Sequence, residues 1–369
     1  MQMLIIAVAF YVFTINILEC HSIIFSIPAA ASSRYISARP PSCHEPWIRS
    51  RHTHHRIFQH QQYLLPKNDL CMLNAGCNDC KQSDSQEVSR STGEVVGATG
   101  RIGSFLLESG GYLVPVPRDV QPGSLTDQGC PIFVSVPTFQ ISNVIQRTLP
   151  ARRNDLVFVT NGIPSDFLGL DDDNDNFIDE NEITTSVPYF GVLGVGEEVI
   201  TNELSPNTII NNGRHAKTLA DLLESSNIGC EIVDGMKEVD AAAVQKLIWV
   251  SIMWLLCHDC EEGPITVAQV HEEKSGQVDQ LLEELVPAAN HLLEKYHHGV
   301  FKKGVGSIAE VKKHLEDYSF SMPISIPARM KAIEEFKFRN GYLLSMQNSV
   351  PQTLHRKLVR NVVGYIPEY

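Results

Sequence analysis

The chain has 369 residues, enough for two domains with cores of their own. Its apolar share of 43% and charged share of 20% are those of a globular protein and exclude a disordered one. A formal net charge of −13 excludes nucleic acid as the main partner, because phosphate binding needs a basic surface.

The first element is an uncharged apolar run, Leu4 to Leu18 (LIIAVAFYVFTINIL), followed by small residues around Ala29 to Ser33. It is short for a membrane span and fits a secretory signal over residues 1–30, although no Lys or Arg precedes it. Retention as a membrane anchor is the alternative. Residues 31–88 differ in character. Arg34, Arg39, Arg49, Arg51, Arg56 and Lys67 stand there with five His and several Ser against the single acid Glu45 in 34–67. That is the composition of an organelle transit peptide, with a disordered secreted tail as the alternative. Signal and transit-like segment together resemble the bipartite leaders of algae whose plastids lie inside the endomembrane system. The expected address is such a plastid, with secretion or the endoplasmic reticulum as alternatives, and a mature protein that does not span the membrane.

Nine cysteines in a chain this long do not make a disulfide framework. Cys71, Cys77 and Cys80 fall in the leader-like region, and Cys257-His258-Asp259-Cys260 closes an apolar helix. Zinc would want two such pairs on organised turns, so none is expected.

Glu94-Val95-Val96 reads as a strand, Gly97-Ala98-Thr99-Gly100-Arg101-Ile102-Gly103 as a glycine-rich turn, and Ser104 to Leu107 as the start of a helix. Glycine suits the turn because the backbone must bend tightly and approach a pyrophosphate. The third glycine lets helix and strand pack closely, and the helix N-terminus favours the anion. The spacing is GxxGxxG, and a glycine turn without a ligand is the alternative. Tyr112 to Val116 reads as a second strand ending at Arg118, where a 2′-phosphate would be recognised; this favours NADP over NAD, and a solvated surface charge is the other reading. Pro131 to Val136 and Asp155 to Thr160 are continuous apolar runs typical of strands buried on both faces, with Ile141, Val144, Ile145 and Leu149 at helical spacing between them. Alternating strands and helices predict a Rossmann-type α/β parallel sheet over residues 89–240, with little room for a further strand between Arg118 and Pro131. Ligands sit at the carboxyl ends of such strands, which places Asn161, directly before Gly162, at the cofactor or substrate. A simple turn is the alternative there.

Asp171 to Glu182 (DDDNDNFIDENE) matches an EF-hand-type calcium loop. Asp171, Asp173 and Asp175 take the first side-chain positions, Phe177 gives a carbonyl, Asp179 acts through water and Glu182 is the bidentate ligand. Asn176 replaces the usual glycine, and Asn also tolerates a left-handed backbone. Residues 162–170 make a poor incoming helix and no second loop is found, so a solvated acidic insertion is the alternative.

From residue 241 an all-α domain is expected to run to 369. Ala241 to Cys257 is apolar nearly all round and should be buried, with Lys246 its single charge. A buried Lys has its pKa lowered toward that of a working acid or base, whereas a snorkelling Lys does not. Val278 to Tyr296 carries an amphipathic pattern with Pro287 as an expected kink or break, and a last helix is expected over Arg329 to Met346.

The GxxGxxG start, Asn161-Gly162 after a late strand, Lys246 on the first interdomain helix, Ser321-Met322, and Glu335 five residues before Asn340-Gly341 recur in this order in ketopantoate reductase and its 6-phosphogluconate-dehydrogenase-like relatives. Over residues 93–365 the chain resembles that family, and its wording (KLIWVSIM, EEFKFRNGYLL) looks closest to a plastid-type branch of plants and algae. The resemblance implies an NADP- or NAD-dependent oxidoreductase reducing a small keto compound, with a homodimer as one assembly. Lys246 would donate a proton to the ketone oxygen, Glu335 would orient substrate or Lys246, Ser321 would hold a carboxylate or hydroxyl, and Asn161 would fix the nicotinamide side. Gly97, Gly100, Gly103 and Arg118 would hold the cofactor. Val250 and Trp254 stand where the family carries polar Asn residues, so ketopantoate itself would lack partners. The alternative function is a non-catalytic dinucleotide-binding protein or a calcium-binding regulatory one.

Overall fold

Apolar runs and short turns build the sheet where the sequence places it. In the computed structural model, which describes residues 92–169, 179–192, 194–297 and 304–367, β1 (Gly93–Val96), β2 (Leu113–Pro115), β3 (Ile132–Val134) and β4 (Leu156–Val159) are parallel neighbours. Helices α1 (Arg101–Ser109) and α2 (Ile141–Arg147) make the crossovers. Short α3 (Pro164–Leu168) follows β4, and β5 (Thr184–Val187) extends the parallel run. A hairpin of β6 (Gly191–Val192) and β7 (Val199–Ile200) stands apart from the main sheet. Then β8 (Thr208–Asn211) adds antiparallel to β5, and β9 (Cys230–Val233) pairs with β8 in parallel after α4 (Ala216–Glu224). The seven-stranded order is β2-β1-β3-β4-β5-β8-β9. The α/β Rossmann-type sheet is therefore present, followed by helices.

No strand occupies residues 117–130, so β2 is the edge. Buried Glu94 explains how that segment is held without one. Its carboxylate accepts from the backbone N–H groups of Gly123, Leu125 and Thr126 at 2.7–2.9 Å and from the Thr126 hydroxyl at 3.0 Å. Arg152 donates from the other side to the carbonyls of Gly123, Thr126 and Cys130 and is itself paired with buried Asp155 at 2.6 Å. The loop's polar groups are thus satisfied by two charged side chains in place of a sheet ladder.

The helical half starts at α5 (Met236–His258), five residues before the expected boundary. It is the one described helix long and apolar enough to cross a membrane, but it lies at the centre of the largest core cluster. Around it pack α6 (Val267–Glu273), α7 (Ser275–Tyr296), α8 (Ile308–Ser321), α9 (Arg329–Glu334), α10 (Asn340–Ser345) and α11 (Thr353–Val363). Both halves lie within one unit, Gln82–Tyr369.

Local expectations are sharpened in three places. Of the kink or break expected at Pro287 the break is absent: α7 continues through it, and its ring faces solvent, so the carbonyl left without its N–H partner can be hydrated. The expected helix over Arg329–Met346 is two helices joined by a 3-10 turn at Phe336–Phe338, and the helical backbone is broken at Arg339, whose φ −130° and ψ −113° continue no helix. Residues 162–170, read as poor for helix, contain α3, whose N-terminal turn is opened by Pro164 and closed by left-handed Gly169. The leader segments 1–88 and the calcium-loop positions Asp171, Asp173, Asp175 and Phe177 lie outside the described residues.

Candidate active site

Parallel strands deliver their carboxyl ends to one edge, and the site is assembled there. At the end of β1 Gly97 adopts φ +85°, and a Cβ on it would come within 2.3 Å of the Ser135 carbonyl oxygen. A Cβ on Gly103 would meet the Gly97 carbonyl oxygen at 2.2 Å, so only glycine lets α1 pack this close to the turn. Gly100 is the N-cap of α1 and its N–H donates to Gly97 at 2.9 Å. These glycines open onto a cleft of about 680 Å³ whose far walls include Arg118, Pro137, Gln140 and Arg147. Arg118 is exposed at the end of β2. Arg147 donates to the carbonyls of Arg118 and Val120 at 2.5 and 2.8 Å and so supports the backbone that presents it.

Two and three strand steps away from β1, at about 4.8 Å each, the ends of β4 and β5 meet Lys246. The amine is buried, with 7% of the residue exposed, beneath the exposed Asn161 side chain. It donates to Asn161 Oδ1 at 2.7 Å and to the Pro188 carbonyl. The rings of Tyr189 and Tyr318 flank it, with centroids 5.4 and 5.9 Å from Nζ. Burial, with the Arg339 guanidinium adding repulsion, lowers the Lys246 pKa to about 7. At neutral pH such a group holds a proton part of the time and can give it up, which an ordinary surface lysine does not. Ser135 to Pro137, after β3, wall the cleft, and the Asn161-Gly162 turn packs beside them so tightly that a Cβ on Gly162 would meet Thr138 at 2.7 Å.

The remaining named residues are placed differently from one another. Glu335 is 18% exposed and its carboxylate accepts from Arg339 Nε and Nη2 at 2.8 and 2.6 Å, so it is held by Arg339 rather than by Lys246. The Ser321 hydroxyl donates to the Tyr318 carbonyl at 2.7 Å and turns back on its own helix. Trp254 is fully buried in the core, while Val250, one turn after Lys246, is half-buried. Asp179 accepts from the Asn181 amide at 2.9 Å, and Glu182 is paired with Arg214 at 2.8 Å. Among the described residues no group of three or more His, Cys, Asp or Glu is arranged to hold a metal.

Arg339, Pro188, Tyr189 and Tyr318 were not singled out from the sequence. Only Arg339 carried a signal, an opposite charge four residues after Glu335, and that spacing ordinarily marks a solvated helix pair.

No family model matches the chain, and no curated protein matches it by sequence. Solved structures do match its fold. D-mandelate dehydrogenase, in a ternary structure with NADH and anilino(oxo)acetate, is 16% identical with a TM-score of 0.52; the alignment covers 74% of this chain and 97% of that one. A PanE/ApbA family ketopantoate reductase from Ralstonia eutropha JMP134 is 14% identical with a TM-score of 0.50, covering 73% and 97%. A 2-dehydropantoate 2-reductase from Geobacter metallireducens GS-15 is 14% identical with a TM-score of 0.50, covering 74% and 99%.

Proposed function

We propose that the protein is a nicotinamide-dependent oxidoreductase, reducing a small keto compound in the manner of the ketopantoate reductases and D-mandelate dehydrogenase whose fold it shares. The observation that carries this is the shared strand edge, which bears a glycine cradle at one end and a buried lysine of lowered pKa at the other. The cradle fits a dinucleotide, since side chains at Gly97 or Gly103 would fill the space the turn needs. Arg118, backed by Arg147, favours the 2′-phosphate of NADP.

The nicotinamide, when bound, supplies the hydride that adds to the carbonyl carbon. Lys246 in its ammonium form supplies the proton that the carbonyl oxygen takes up, and recovers it from solvent afterwards. Asn161 and the Pro188 carbonyl take two of its N–H donors and orient the third. Arg339, held by Glu335, offers a cation for a substrate carboxylate, so Glu335 acts through Arg339. Ser321 keeps a supporting place at the end of α8.

Fluorescence titration with NADPH and NADH, followed by a screen of 2-oxo acids, tests this reading with Lys246→Ala as control. NADPH binding with Lys246-dependent oxidation is expected. The closed setting of the Lys246 amine favours one second reading, a dinucleotide-binding protein without turnover. NADPH binding with no Lys246-dependent turnover would select it.

Three finer readings accompany the proposal. The acidic segment Asp171–Glu182 is a calcium site of EF-hand type, in which the ion competes with Arg214 for Glu182; calorimetry with Ca²⁺ showing no heat, and no change on Asp171→Ala, would remove it. Residues 1–88 direct the protein through the secretory pathway to a plastid, as a leader–fluorescent protein fusion would reveal. The assembly is a homodimer, which sedimentation equilibrium would settle.

A further inference from the structure

Immediately after Asn161 the chain enters α3, and two side chains of that short helix are tied to the helical half. The Ser165 backbone N–H and hydroxyl both donate to the Asp240 carboxylate in α5, the backbone N–H at 3.1 Å. His297, just past the end of α7, brings Nε2 to 3.0 Å from the same carboxylate. The neighbouring Asp166 accepts from the Tyr296 hydroxyl of α7 at 2.9 Å and from the Tyr342 hydroxyl of α10. Ser165, Asp240, Tyr296 and Tyr342 are buried, and Asp166 is partly so.

Two carboxylates in a domain junction are costly to desolvate, and neither meets a Lys or Arg among the described residues. Apolar contact alone would hold α3 on α5 but let it slide. Directional bonds to both oxygens of each carboxylate fix its rotation and register. On the other side, Gly162 fits against Thr138 with no space for a side chain. The Asn161 turn is therefore clamped from both directions, and none of the clamp residues lines the glycine cleft.

We propose that Asp166 and Asp240 are positioning residues: by fastening α3 through Ser165, Tyr296 and Tyr342, they hold the Asn161 amide oxygen over the Lys246 amine. This rests on the reading of Lys246 as the proton donor. Loosening the clamp lets Asn161 move off and water reach the amine. The burial that lowers its proton affinity is then relieved, and the pKa rises. Other groups facing the amine stay in place: the Pro188 carbonyl, the Tyr189 ring with His314 against its edge, the Tyr318 ring, and Arg339 with Glu335.

The test is labelling of the full chain with acetic anhydride across pH 5–10, reading Lys246 acetylation by peptide mass spectrometry, with circular dichroism melts to confirm folding. Asp240→Asn, Asp166→Asn and Tyr342→Phe are each expected to raise the Lys246 labelling midpoint by about one pH unit and to speed labelling above it. Ser165→Thr, which keeps the hydroxyl, should retain the midpoint that Ser165→Ala loses. Tyr342→Phe is the mildest change and decides the matter if the carboxylate variants fail to fold. An unchanged midpoint in folded variants overturns the proposal. Absence of NADPH-dependent turnover in the unaltered protein would sink the functional reading while leaving the labelling result standing; with turnover, the alkaline limb of kcat must move with the labelling midpoint.

Discussion

At the glycine end of the strand edge the working surface is backbone, and at the lysine end it is side chains drawn from distant parts of the chain. Gly97, Gly100 and Gly103 lie within seven residues, and what they need is the absence of a Cβ. Around Lys246 stand Asn161, Tyr189, Tyr318 and Arg339, brought from β4, β5, α8 and the entry to α10. The first end can be broken by a single added carbon. The second depends on desolvation and charge, so it should yield in graded, pH-dependent ways.

The largest effect is expected at the amine. Lys246→Met should lower kcat by about 10²–10⁴-fold while leaving the NADPH dissociation constant unchanged, since the amine does not line the cradle cleft. Equal loss of binding and turnover would show that the two ends are not separable. Next, Gly103→Ala forces a Cβ to 2.2 Å from the Gly97 carbonyl oxygen. Overpacking of this kind costs about 1–3 kcal/mol, which corresponds to roughly tenfold to hundredfold in cofactor affinity if the cradle bears it. Equilibrium titration reads this directly. Smaller still, Arg118→Ala should weaken NADPH by about tenfold or less and spare NADH, because the side chain is exposed and its attraction for phosphate is screened. The smallest shift is expected in the Lys246 pKa itself, where Arg339→Leu removes a positive neighbour and raises it by about half a unit, moving the alkaline limb of activity upward. A substrate carboxylate held by Arg339 adds a higher KM for 2-oxo acids to that variant.

The contrast between the ends also explains what the sequence made legible. β1 to β4 follow apolar runs bounded by turn residues, and α5 is apolar on every side, so local pattern and tertiary burial agree there. The short strands β5 to β9 carry no sequence reading, because two to four residues hold too little pattern to stand out. Asn161 and Lys246 were placed by their positions at a strand end and on a buried helix, and they meet in the structure. Glu335 was expected to orient substrate or Lys246, and its carboxylate is held by Arg339, four residues on. The Pro188 carbonyl has no sequence signal at all, being backbone. Trp254 shows the same limit from the other side, since helical spacing placed it beside Lys246 and packing turned it into the core.

The central claim is that the buried Lys246 delivers the proton in an NADPH-dependent reduction, and the pH profile of kcat tests it most directly. A folded-state pKa near 7 means the ammonium form is full below pH 6 and falls as pH rises through 7. The account therefore predicts activity that drops about tenfold per pH unit above that point, and no such limb in Lys246→Ala. A rate flat from pH 6 to 9, or a limb that survives the substitution, would contradict it.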